Sequence, residues 1–91
     1  MSNVPRRKVY IIQSLRRSVA KATLNAVMDN SFNVICWTER SQAEAYARTH
    51  GLVLSAVVEK DFALLSSELG LYSTRHKVNV GIRVVEGEEF P

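Results

Sequence analysis

Ninety-one residues, 46% of them hydrophobic, with one cysteine and a net charge of +3, fit one small folded domain. A chain this short buries roughly 60–65% of its unfolded surface, which gives one modest core and little room for a deep active site. The lone Cys36 rules out an internal disulfide and the stapled secreted class with it; no apolar run is long enough to span a membrane, and the polar, basic stretch Met1 to Lys8 leads into no signal-peptide core.

In chain order, Met1 to Pro5 reads as a loose leader. Lys8-Val9-Tyr10-Ile11-Ile12 is rich in β-branched and aromatic residues and predicts a strand. Leu15 to Asp29 places Leu15, Val19, Ala22 and Ala26 on one helical stripe, and its alanines favour a helix. Ala20, Ala22, Leu24, Ala26 and Met28 also alternate as a strand would, but alanine is a poor strand former, so the helix is preferred. Asp29-Asn30-Ser31 supplies turn chemistry.

Phe32 to Trp37 predicts a second strand. A helix follows, with Ser41 and Glu44 in capping-box spacing and Thr38 as an earlier cap; His50-Gly51 is its expected end. Leu52 to Val58 is nearly continuous apolar, as in a central strand covered on both faces. Asp61 can cap a short helix that turns Phe62, Leu65 and Leu69 inward and stops at Gly70, with Leu71 to His76 as a loop. Lys77 to Val85 alternates cleanly and reads as an edge or antiparallel strand, available for pairing with a second copy in a homodimer. The expected fold class is α/β or α+β: one domain over residues 1–91, a single sheet of three to four strands with two to three helices packed on it, and flexible ends at 1–6 and 87–91.

Charge is uneven along the chain. Residues 1–28 hold six cations, Arg6, Arg7, Lys8, Arg16, Arg17 and Lys21, and no acid; residues 29–91 hold six cations and nine acids. A helix starting at Leu15 would put Arg16 and Arg17 in its first turn, where cations oppose the helix dipole by a few tenths of a kcal/mol to about 1. Free N–H groups beside two guanidinium groups make an anion site, so Arg6, Arg7, Arg16, Arg17 and Lys21 are the candidate partner-binding residues. Only Tyr10 adds an aromatic to this third of the chain, so single-strand recognition by stacking is weakly supported and phosphate contact is the form a nucleic-acid reading takes.

Signals for catalysis are sparse. Cys36 lies among Val34, Ile35 and Trp37 and reads as a structural core thiol. His50 and His76 have no metal-binding or catalytic spacing, Asp61 reads as a cap, and the four glycines form no phosphate loop. Neither a cofactor nor an enzymatic activity is expected.

The stretch Val34-Ile35-Cys36-Trp37-Thr38-Glu39-Arg40-Ser41-Gln42-Ala43-Glu44-Ala45-Tyr46-Ala47 resembles a pattern in small phage-type α/β accessory proteins: a strand ending in an aromatic residue, then a Ser/Thr-capped helix reading A-E-x-Y-A. The opening strand Lys8 to Ile12 is similar too, while the alanine-rich segment between the two strands departs from the simplest form of the pattern. The resemblance implies a viral or mobile-element protein in the host cytoplasm that binds and blocks a host complex, as anti-CRISPR proteins do, and it carries no catalytic residues. The expected function is therefore non-enzymatic: steric occupation of a host protein or nucleoprotein complex, with nucleic-acid binding through phosphates as the alternative.

Overall fold

The computed structural model describes residues 7–15 and 25–86. Six elements follow one another: β1 (Lys8–Ser14), β2 (Asn33–Trp37), α1 (Arg40–Thr49), β3 (Ser55–Asp61), α2 (Phe62–His76) and β4 (Gly81–Val85). The strands form one mixed sheet in the order β3-β1-β2-β4. β1 is antiparallel to both its neighbours and β2 is parallel to β4. The fold is α+β, a four-stranded sheet carrying two helices, within the expected class.

Strand alternation divides the core between the two faces of the sheet. Val9 and Ile11 from β1, with Val34 and Cys36 from β2, meet Leu65 and Leu69 of α2. Ile12, Ile35 and Trp37 point the other way and meet Ala43 of α1, with Tyr46 and Ala47 beside them. Each fully buried Leu or Ile side chain contributes about 1.5–3 kcal/mol.

Direct pairing of β1 with β2 occurs at Tyr10 and Trp37. Further along, residues 25–29 enter the fork between the strands. Ser14 N–H donates to the Asn25 carbonyl at 2.8 Å, Val27 N–H to the Ile12 carbonyl at 2.9 Å, Ile35 N–H to the Val27 carbonyl at 3.1 Å, and Asp29 N–H to the Asn33 carbonyl at 2.9 Å. The expected helix over 15–29 is therefore corrected at its C-terminal end: Ala26 and Met28 form bridges to Gln13 and Val34. Strand hydrogen bonds there outweigh alanine's helix propensity, because the fork would otherwise leave ladder groups of β1 and β2 unpaired. Arg16, Arg17 and Lys21 lie outside the described residues, as do the ends 1–6 and 87–91.

Other boundaries shift. The Ser41–Glu44 capping box does not form: α1 starts one residue ahead of Ser41, its N-cap is Glu39, and no side chain caps it. The helix ends as expected, with His50 as C-cap and Gly51 at φ 64°. The third strand runs over 55–61, not 52–58, and it is an edge strand. Asp61 caps α2, accepting from Ala63 N–H at 3.0 Å and Leu64 N–H at 3.3 Å. α2 then runs through Gly70 to His76, so the expected loop over 71–76 is helical. Gly70 has ordinary negative-φ geometry and open space around it, and the terminating left-handed residue is Lys77 at φ 55°. β4 is confined to 81–85 and is an edge strand, as its alternation predicts.

Candidate functional site

α2 packs closest on β3, at one side of the sheet. Over β2 and β4 its second half stands off, and an apolar groove of about 620 Å³ opens there. It is lined by Leu69 and Tyr72 of α2, Val34 of β2, the approach to β4 (Val78, Asn79, Val80) and, from the segment ahead of β2, Ala26, Met28 and Phe32 among others. That volume falls within the range of about 300–1,000 Å³ usual for binding pockets.

Two local devices set the walls. Ser73 accepts from Val78 N–H through its carbonyl at 3.2 Å and from Val80 N–H through its hydroxyl at 3.2 Å, which ties the segment after α2 back onto the helix. Asp29 builds the other side. Its carboxylate accepts from Ser31 N–H at 2.8 Å, Asn33 N–H at 3.0 Å and the Asn33 side-chain amide at 3.2 Å, and Arg83 stands 3.8 Å away. The Asn33 N–H bond, with smaller help from the other donors, holds the Asp29 carboxyl below its ordinary range against the opposing effect of desolvation.

This turn delivers Phe32. Its N–H donates to the Asp29 carbonyl at 3.3 Å and its carbonyl accepts from Gly81 N–H at 3.1 Å, which fixes the backbone at φ 61°. Its ring is 67% exposed. A bulky side chain in the left-handed region is a backbone outlier. Met28 and Val78 are also exposed large hydrophobics at the groove, and Leu71 is exposed on the outer face of α2.

No protein-family model matches this chain, and neither a curated protein nor a solved structure matches it.

Of the five candidate residues named from the sequence, Arg7 alone lies among the described residues. It pairs with Glu86 at 3.0 Å, both side chains about half exposed, and the neighbouring Lys8 pairs with Glu59 at 3.3 Å. The described part of the basic third is thus already matched by carboxylates, in exposed pairs of the kind worth about 0–1 kcal/mol.

Cys36 is fully buried in the α2-side core, and desolvation pushes its thiol up to about 11. His50 belongs to the other face, stacked on Tyr46 with ring centroids 3.9 Å apart, and His76 lies against Tyr72 at 4.3 Å. Among the described residues no three His, Cys, Asp or Glu side chains gather as a metal site.

The groove escaped sequence reading because four separate stretches of the chain build it. Phe32 read as the first residue of a strand, and Tyr72 and Val78 fell in a loop and at a strand's start. The one available signal was Asp29-Asn30-Ser31, a turn sequence directly before an aromatic residue.

Proposed function

We propose that this chain is a non-enzymatic binding protein that acts by covering a surface of a partner, the host protein or nucleoprotein complex that the resemblance to phage accessory proteins implies. Phe32 carries the reading. An L residue in the left-handed region costs roughly 1–2 kcal/mol, and a side chain left in water returns almost none of that to the fold. Glycine or asparagine would suit the backbone better. A partner that buried the ring would recover about 1.5–3 kcal/mol, and exposed aromatics beside a preformed apolar groove have the character of interface anchors.

The experiment measures stability and binding on one variant. Phe32→Gly is expected to leave unfolding free energy within about 1 kcal/mol of wild type, or to raise it, since strain relief offsets the added entropy of the unfolded chain. The same variant should lose the partner that tagged wild-type protein retains from nuclease-treated bacterial lysate. Destabilisation well beyond that range with partner retention intact would make Phe32 a structural residue and overturn the reading. Retention that disappears on nuclease treatment would favour phosphate binding through Arg6, Arg16, Arg17 and Lys21 instead.

A further inference from the structure

We infer that the occupant of the groove is an acidic segment of a partner protein carrying one or two large apolar side chains, an inference that rests on reading the chain as a binding protein. Size comes first. Phe32 and Val78 line the cavity yet keep 67% and 46% of their surface exposed, so its mouth lies open to solvent. A small molecule held inside would cover only their inward sides; a peptide segment laid along the groove would also cover the parts of Phe32 and Val78 that face solvent.

Charge gives the chemistry. The groove lining contains no ionisable carboxylate or cation, its polar members being Asn25, Asn79 and the Tyr72 hydroxyl. From Leu69 to Val85 the chain has Arg75, Lys77 and Arg83 and no Asp or Glu. The nearest carboxylates in sequence on the two sides of the groove already face cations: Glu68 stands 3.8 Å from Lys60 without a hydrogen bond at that oxygen, and Asp29 is held by its turn and stands 3.8 Å from Arg83. Arg75 and Lys77 are exposed and meet no carboxylate among the described residues. The C-terminal end of α2 offers about half a negative charge, too little to balance the two cations gathered there. They lie beside groove residues in the chain: Arg75 is three positions beyond Tyr72 on α2, and Lys77 directly precedes Val78.

Apolar anchors would enter between Leu69, Tyr72 and Val80 while flanking carboxylates lie over Arg75 and Lys77. The cations would steer the encounter and select against basic segments, and the buried anchors would set the lifetime.

The test uses the full chain, ¹⁵N-labelled, and three short synthetic peptides that share the same Leu and Phe positions and carry Glu, Gln or Lys at all others. The Glu peptide should shift the amides of Phe32, Tyr72 and Val78 and bind at least about tenfold tighter than the Gln peptide, with that advantage shrinking as salt rises. Charge reversal by Arg75→Glu with Lys77→Glu should abolish the preference while the amide spectrum stays folded, and the Lys peptide should then bind the variant better than wild type. Equal binding of Glu and Gln peptides would overturn the acidic assignment and leave the binding-protein reading standing. Absence of groove shifts with every peptide, alongside loss of the lysate partner in Phe32→Gly, would overturn this inference alone. An RNA oligonucleotide that shifts the same amides in place of the peptides would overturn it in favour of phosphate. Failure of the binding-protein reading has a different signature, partner retention unaffected by Phe32→Gly.

Discussion

The backbone amide of Val27 donates to the carbonyl of Ile12 at 2.9 Å, at the point where β1 would otherwise have bonded β2. Tyr10 pairs with Trp37, so an unbroken antiparallel ladder would bring Ile12 opposite Ile35 two positions further on. Val27 lies between those two residues and bonds both. The 25–29 segment fills a fork in the sheet, and its exit sets the start of the turn that carries Phe32.

Replacing Val27 with proline removes the N–H and leaves the buried Ile12 carbonyl without its donor. Val27→Pro is expected to cost about 1–3 kcal/mol more than Val27→Ala, which trims the side chain and keeps both bonds. Urea unfolding of the two variants measures the difference. Equal midpoints would mean that the bonds to the fork add nothing to stability.

Gly81 and Asn33 are opposite one another in the parallel β2–β4 pair. A Cβ on Gly81 would collide with the Asn33 side-chain oxygen, and Asn33 is held by its own bond to Asp29. Gly81→Ala should therefore destabilise the fold by about 1–3 kcal/mol, the usual cost of overpacking. Adding Asn33→Ala should return part of that loss, a non-additivity that a double-mutant cycle reads directly.

The Asp29 carboxyl is held below its ordinary value of 3.8, chiefly by the Asn33 N–H. Its folded-state value is the depressed one, so its contribution to stability is present above that ordinary value and is lost as pH falls through the folded-state value. An NMR titration should find Asp29 titrating below its ordinary value of 3.8, with the Ser31 and Asn33 amides shifting at the same midpoint. In Asp29→Asn the acid limb of the stability curve should flatten. A midpoint at or above the ordinary value would show that the turn does not depend on the ionised carboxylate.

Gly70 shows where sequence reading stops. Glycine followed by Leu71, Tyr72 and Ser73 looks like a helix end, yet α2 continues past it with no neighbour near the missing Cβ. Gly70→Ala should stabilise the protein by about 0.5–1 kcal/mol, the usual difference between these residues inside an exposed helix. A thermal midpoint that falls would point to a conformational need for glycine at this position.

Legibility followed the range of the forces involved. β1 and β2 were readable because enrichment in β-branched and aromatic residues is written locally in Val9, Tyr10, Ile11, Val34 and Ile35, and Asp61 was readable as a cap because it acts on residues two and three positions away. The strand-like course of 25–28 depends on ladder groups of β1 and β2 left open by their divergence, which no local pattern records. The end of α2 is likewise set at a distance: Ser73 ties Val78 and Val80 back, and Lys77 takes the left-handed position. The groove inherits both of these non-local decisions, so it had no signature in sequence.

The Arg7–Glu86 pair joins positions 79 residues apart at a single corner of the sheet. β2 and β4 both run from the groove toward that corner, so Arg7 and Glu86 are neighbours at the end of the sheet remote from Phe32. An immobilising label placed at Arg7 or Glu86 therefore holds the protein to a sensor surface from that corner and leaves Phe32 and Val78 facing solution.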